Sequence, residues 1–365
     1  MNSSAYEINV DSQLSQTEEN VWYKLSPTKE LPDSRVGHTT LFCKKDRKLI
    51  LVGGATPHSL YNEVWVLSLK YLVCKRLEVL GDFEARYEHS AFFPSETEEE
   101  TQDSTRLWIF AGANTEENKN DLWELDLKNQ QWISLSQSGE IPSTRTYHAT
   151  SVVLNNKFLV FSGGAKGVEA VTDLKTYQLD MSTREWSVLP TKGEPPQPRQ
   201  GHVLIAVQDK LYCHGGMSGT YLYDDLHVLD ADGTWTSVSF SQQPSGRAAH
   251  GAAYHNRFIY IFGGLGNSGA LNDMWRLCID TMIWEEVVVS GSVPPRRLDF
   301  AFSLVELPEK FEKKSEDDSE EHGARVQVDS GDGAEQHFPY LLLHGGMDET
   351  GHIYDDFYVM SLRSA

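Results

Sequence analysis

The chain has 365 residues, with 53 acidic against 32 basic side chains and a net charge of −21 at pH 7. A hydrophobic fraction of 39%, with 9 Trp, 15 Tyr and 15 Phe, supplies a sizeable core and excludes wholesale disorder. The acidic balance disfavours nucleic acid and anionic membrane surfaces as partners, and no apolar run approaches the ~18 residues of a membrane span.

Residues 1–20 carry Glu7, Asp11, Glu18 and Glu19 and no base, and are expected as an acidic, flexible tail without the basic and apolar regions of a secretory leader. From Trp22 onward a single repeating pattern runs to the end, so residues 21–365 are expected as one domain. Each copy opens on an Arg-x-x-His element: Arg35/His38, Arg86/His89, Arg145/His148, Arg199/His202 and Arg247/His250. The sixth copy reads Arg297-Leu-Asp-Phe300. A short apolar strand ending in a glycine doublet follows: Gly53-Gly54, Gly163-Gly164, Gly215-Gly216, Gly263-Gly264 and Gly345-Gly346, with Ala111-Gly112 as a degenerate member. Next comes an Asp/Asn-rich step into alternating residues, as in NDLWELDL from Asn120 and DDLHVLD from Asp224. A final strand begins near Trp132, Trp186, Trp235 and Trp284, with Cys74 at that place in the first copy. Turn residues such as Asn155-Asn156, Asp209-Lys210 and Asp232-Gly233 separate the strands.

The spacing closes a ring. From each Trp to the next Arg is 13, 13, 12 and 13 residues, and Trp22 stands 13 before Arg35 although no strand precedes it. The chain meanwhile stops at Ala365, directly after the third strand of the sixth copy. Trp22-Tyr23-Lys24-Leu25 therefore supplies the missing outer strand of that copy. Four-stranded units at ~50-residue spacing with no helical periodicity predict an all-β, six-bladed β-propeller closed by its N-terminal strand. The indoles are expected between blades, and the histidines in packing or hydrogen bonds within each blade. The glycine doublets suit close backbone approach near the axis.

Alternating strand direction fixes the sides. Arg35, Arg86, Arg145, Arg199, Arg247 and Arg297 enter the first strands on one face. The acidic segments 94–106 and 307–338 interrupt connections on the other, the second being polar enough to be expected as disordered. Two readings of the arginines stand: each braces its own blade through loop carbonyls and the neighbouring Asp pair, or the six form a partner-binding face with Tyr87, Tyr147 and Tyr223. Four isolated cysteines without a C-x-x-C pair fit a soluble protein of a reducing compartment. Gly264-Leu-Gly266-Asn-Ser-Gly269 matches a dinucleotide fingerprint in letters only, because a strand and not a helix follows it. No catalytic, metal-binding or cofactor motif appears, and no enzyme activity, metal or cofactor is expected.

These repeats resemble kelch repeats across residues 21–365. Trp22-Tyr23 with RVGH, ARYEHSAFFPS around Tyr87, GGM and YDDLH around Gly216, RRLD around Arg297 and GGMDETGHIYDD near the end are most similar to the kelch-repeat effectors of Rab GTPases. Phe300 and Ala111-Gly112 depart from the usual pattern. The resemblance implies a non-enzymatic adaptor that binds a GTP-bound Rab GTPase and supports endosome-to-trans-Golgi vesicle transport. Such an adaptor would be cytoplasmic and reach membranes through its partners. It leaves open a kelch substrate receptor of a ubiquitin ligase, reading an acidic or C-terminal peptide on the arginine face.

Overall fold

A computed structural model describes residues 6–94, 106–153, 157–166, 169–313 and 336–363. The turn at Asn155-Asn156, most of the acidic segment 94–106 and the centre of the 307–338 insertion lie outside the described residues. Every sheet pairing within a blade is antiparallel, and the sheets form the six blades of a propeller.

The first blade is built from Thr39–Cys43, Lys48–Val52, Val64–Ser68 and Val73–Leu77, and the second from Ser90–Phe92, Arg106–Phe110, Leu122–Asp126 and Gln131–Leu135. The third comprises Ala149–Val153, Lys157–Phe161, Thr176–Asp180 and Glu185–Leu189, and the fourth Val203–Val207, Lys210–His214, Leu226–Leu229 and Thr234–Val238. The fifth comprises Gly251–His255, Phe258–Gly266, Gly269–Cys278 and Ile283–Glu286. The Gly264–Gly269 stretch is thus the tip of a hairpin between two long strands, with no helix for a dinucleotide phosphate to sit on.

The sixth blade joins Ala301–Pro308, His337–His344 and Phe357–Ser361 to Val21–Leu25, which pairs antiparallel with Phe357–Ser361 from Trp22↔Met360 to Leu25↔Phe357. The N-terminal strand closes the ring, as the spacing predicts. Residues 6–20, expected as a flexible tail, are laid along this blade. Glu7–Ile8 pairs parallel with Lys24–Leu25, Gln13 bridges to Lys310, and Ile8 and Leu14 are buried in the core between the sixth and first blades. Two apolar side chains in an acidic stretch are what hold it there.

Packing between blades follows one rule. The residue that ends the second strand of one blade is clasped by the next blade, between a first-strand ring and a fourth-strand indole. Phe110 meets His148 and Trp186 at 5.6 and 4.8 Å between ring centroids, and Phe161 meets His202 and Trp235 at 6.0 and 5.5 Å. His214 meets His250 and Trp284, and Phe262 meets Phe300 and Trp22. The indoles therefore pack between blades, as expected. The histidines, expected to act within their own blades, reach across to the neighbour. His38 Nε2 lies 2.9 Å from His344 Nδ1, while His89 and His148 reach the Thr39 and Ser90 hydroxyls. Phe300 takes the same place in the sixth blade and packs on Phe262 at 5.8 Å between ring centroids.

On the outer side, a two-residue segment from the linker into a blade pairs parallel with that blade's fourth strand. Thr28–Lys29 covers Val73–Cys74, Ser138–Gly139 covers Glu185–Trp186, Lys192–Gly193 covers Thr234–Trp235, and Ser290–Gly291 covers Val21–Trp22. Leu80 makes the same contact with Gln131 as a single bridge.

Removing residues 1–25 strips the sixth blade of its outer strand and of the fully buried Trp22. The truncated chain is expected to melt at least ~10 °C lower than the full chain in differential scanning calorimetry. An unchanged melt would mean that the ring does not depend on this closure.

Candidate interaction face

The six arginines lie where the linkers enter the first strands, and each is fully buried. Their guanidinium groups are spent on their own blades. Arg199 donates from Nη1 to the Gly215 carbonyl at 2.9 Å and to Asp225 Oδ1 at 2.6 Å, from Nη2 to Asp225 Oδ2 at 2.9 Å, and from Nε to the Gln197 carbonyl. Arg35 repeats this with Gly53 and Glu63, Arg86 with Ala111 and Asp121, and Arg145 with Ser162 and Asp173. Arg247 uses Gly263 and Asp273, and Arg297 uses Gly345 and Asp356. Four of the six acids (Glu63, Asp121, Asp225 and Asp356) directly precede the third strand, while Asp173 stands three residues before it and Asp273 lies within it, which explains the Asp/Asn-rich step of the repeat. Burial alone would raise the Asp225 carboxyl, but the hydrogen bonds from Arg199 and His227 outweigh it and hold it well below the usual carboxylate range.

An aromatic ring caps several of these groups: Tyr61 lies over Arg35 at 4.2 Å, Tyr223 over Arg199 at 4.0 Å and Tyr354 over Arg297 at 4.0 Å. Tyr223 is therefore a cap on an arginine, and beside it Tyr221 stands 63% exposed with the rings 4.9 Å apart. No guanidinium faces solvent, so of the two readings of the arginines the geometry matches bracing. A partner on this face, including an acidic or C-terminal peptide, meets the loops around the arginines and not their charge.

The same elements stitch neighbouring blades. The second member of each doublet donates its N–H to the next blade's arginine carbonyl, as in Gly54 to Arg86, Gly112 to Arg145, Gly216 to Arg247 and, closing the circle, Gly346 to Arg35 at 3.0 Å. A Cβ at Gly53 would stand 2.7 Å from the Arg86 carbonyl oxygen, so the backbone approach itself requires glycine there. In the third blade the equivalent pair is Ser162-Gly163, one residue earlier than Gly163-Gly164. Arg145 bonds the Ser162 carbonyl and the Gly163 N–H bonds Arg199, while Gly164 instead exchanges bonds with Thr146.

At the axis the residue directly before each histidine, or before Phe300 in the sixth copy, forms an inner ring. Gly37, Glu88, Tyr147, Gly201, Ala249 and Asp299 all adopt left-handed backbone angles, with φ between 45 and 64°. Five of the links are backbone hydrogen bonds: Glu88 to Gly37, Gly201 to Tyr147, Ala249 to Gly201, Asp299 to Ala249 and Gly37 to Asp299. These residues and the ring of five histidines with Phe300 line a channel-mouth cavity of about 160 Å³. Buried away from water and beside Arg35, Arg86, Arg145, Arg199 or Arg247, all five imidazoles are held below their ordinary pKa, His89 and His202 at about 3, and are neutral at pH 7.

Glu88 and Asp299 are the charges of this mouth. Tyr147 Oη donates to Asp299 Oδ2 at 3.3 Å, and the Thr146 hydroxyl donates to Glu88. Burial pushes Asp299 up to about 6 despite the Tyr147 hydrogen bond, and burial together with the facing Asp299 raises Glu88 well above its ordinary value. The expected arginine-rich mouth is thus acidic at its centre. Sequence reasoning missed Glu88, Thr146 and Asp299. The available signal was the position directly before each histidine or Phe300, which is glycine in two copies and carboxylic in two others.

The family described as the KLHDC2/KLHL20/DRC7 kelch-repeats domain matches residues 2–174, 46–264 and 177–307. The mouse "Rab9 effector protein with kelch motifs" is 32% identical over 359 residues, covering 92% of each chain, and its rat counterpart is 32% identical over 362 residues, covering 92% of this chain and 94% of its own. The human protein of the same name is 36% identical over 210 residues, covering 56% of this chain and 55% of its own.

Two outcomes check this geometry. Arg199→Ala removes a fully buried guanidinium and leaves the Gly215 carbonyl and the partly exposed Asp225 carboxylate without their donor, and is expected to cost about 2–4 kcal/mol in denaturant unfolding. A cost near zero would return Arg199 to the surface. For Asp299, a folded-state pKa of about 6 against an ordinary 3.8 means that the fold favours the protonated acid. The penalty is absent below the ordinary value, grows as pH rises to about 6 and stays constant above. Asp299→Asn is therefore expected to melt ~2–4 °C higher than the parent at pH 7.5 and at the same temperature at pH 3.5, checked by fluorimetry across pH.

Proposed function

The chain belongs to the kelch-repeat propellers, and from that premise we propose that it is a non-enzymatic adaptor that binds a Rab GTPase of the Rab9 class in its GTP-bound state. The observation that carries this reading is the extent of the similarity. Identity to the mouse Rab9 effector runs over 92% of both chains, beyond what one shared repeat supplies. A rigid propeller suits an adaptor, because its blades are over-determined by packing while the loops of each face are free to carry recognition.

On the mouth face, exposed Tyr221, the Tyr223 and Tyr354 caps and the acidic centre offer aromatic and charged contacts of the kind that dominate protein interfaces. An effector of this kind acts in transport between endosomes and the trans-Golgi network and meets membranes through its GTPase. No helix among the described residues is long and apolar enough to cross a membrane.

The test is direct binding of the purified chain to a panel of Rab GTPases, each loaded with GDP or with a non-hydrolysable GTP analogue. Rab9 with the GTP analogue is expected to bind at least tenfold more tightly than Rab9 with GDP by calorimetry. Equal binding of both nucleotide states, or none to any Rab, would sink the effector reading and leave the propeller untouched.

A further inference from the structure

Among the described residues, five blades carry an outer guard and one does not. Counting six residues from each fourth-strand Trp, or from Cys74, reaches the guards Thr28-Lys29, Leu80-Gly81, Ser138-Gly139, Lys192-Gly193 and Ser290-Gly291. In the linker into the fifth blade the same count reaches Ser241-Gln242, and no segment among the described residues pairs with the outer side of Ile283–Glu286.

One local feature sets this linker apart. The second guard residue is left-handed in the other five, with φ of 72° at Lys29, 111° at Gly81, 78° at Gly139, 81° at Gly193 and 78° at Gly291, whereas Gln242 is not. Length is not the cause, since the six residues from Ser241 to Arg247 match the six from Leu80 to Arg86 in the guarded second blade. In the linker into the fifth blade the Phe240 ring instead lies partly buried, 6.3 Å from Trp284.

The edge left bare has the backbone of its covered equivalents. Guard N–H groups elsewhere bond the carbonyl two residues before the Trp or its Cys74 counterpart: Thr28 to Leu72 at 2.9 Å, Lys192 to Gly233 at 2.9 Å and Ser290 to Asn20 at 3.3 Å. A second bond reaches the Trp carbonyl, as from Glu140 to Trp186 and Ser292 to Trp22, both at 2.8 Å. The Trp132 N–H donates in return to the Leu80 carbonyl. Met282, with φ of 53°, and Trp284 hold those places in the fifth blade. Unpaired strand edges of this kind recruit extended chain.

We propose that the outer edge of the fifth blade, Met282–Glu286, is a docking site for an extended, basic, glycine-containing segment of a partner protein, which adds to the blade as a fifth, parallel strand. The occupant's chemistry is given by the chain's own guards and by the charge of the edge. Glycine is favoured at the second place, where a Cβ would stand 2.1 Å from the Trp186 carbonyl in the third blade and 2.3 Å from that of Trp235 in the fourth, and only the first blade puts another residue, Lys29, there. Basic flanks are needed because Glu286 is exposed and makes no ion pair among the described residues, while Glu285 beside it is held by Arg276. An apolar residue fits against Ile283 and Val288, which are 55% and 90% exposed. The proposal is independent of the GTPase reading.

The probe is the peptide acetyl-Lys-Lys-Ser-Gly-Lys-Val-Lys-amide, with a counterpart carrying Val in place of Gly, and the readout is hydrogen exchange of the full chain. In the free protein the Trp284 amide is expected to exchange at least tenfold faster than those of Trp132, Trp186 and Trp235. Saturating glycine peptide should slow it to their rate, and the valine peptide should leave it fast. A chain with Gln242→Gly and Gln243→Glu is expected to protect Trp284 without peptide and to lose the peptide's effect. The measurements on the unaltered chain carry the test if that chain fails to fold. Slow exchange in the free monomer, no protection or equal protection by the two peptides, or protection that rises with protein concentration in place of peptide would each overturn the proposal, the last by assigning the edge to a second copy of this chain.

Discussion

The buried arginine of each copy is the constraint from which the rest of the ring is built. A guanidinium removed from water must find a partner for every donor, and a single one here takes a glycine-doublet carbonyl, a linker carbonyl and a third-strand carboxylate. Three separate segments of a blade are thereby held at one point. The arginine's own carbonyl then accepts from the preceding blade's doublet, so the group that organises one blade also fixes its distance to the next. Glycine at the doublet and acid at the head of the third strand are consequences of this one side chain.

Because the arginines are consumed internally, the sign of the channel mouth is set elsewhere. The inner ring of left-handed residues is held by backbone bonds and does not specify a side chain, provided the residue tolerates a positive φ. Glycine meets that condition at Gly37 and Gly201. Glu88, Tyr147 and Asp299 meet it at some cost in strain and place two carboxyls and a phenol at the axis, above a floor of neutral imidazoles. The mouth is thus a polar, acidic feature mounted on a scaffold whose positive charge is turned inward.

A propeller closes its blades into a ring but leaves an outer edge on every blade. Here the linkers cover those edges with a dipeptide whose geometry demands a left-handed second residue. Where the linker carries Gln242 without that backbone angle, the cover is missing among the described residues.

The sequence by itself determined the number of blades, the strands within them and the closure through Trp22, because the fold repeats a local pattern and a ring imposes an integer count. It also exposed the arginines and the acids that meet them, since both recur at fixed offsets. The direction in which the histidines reach, the one-residue register at Ser162-Gly163 and the docking of Ile8 and Leu14 were decided only in the tertiary structure. Each is a contact between a residue and a neighbouring blade, and periodicity along one chain carries no information about which neighbour a side chain faces. The acidic mouth belongs to the same class. Glu88 and Asp299 stand 211 positions apart in the chain and become one site only because six left-handed residues converge on a common axis.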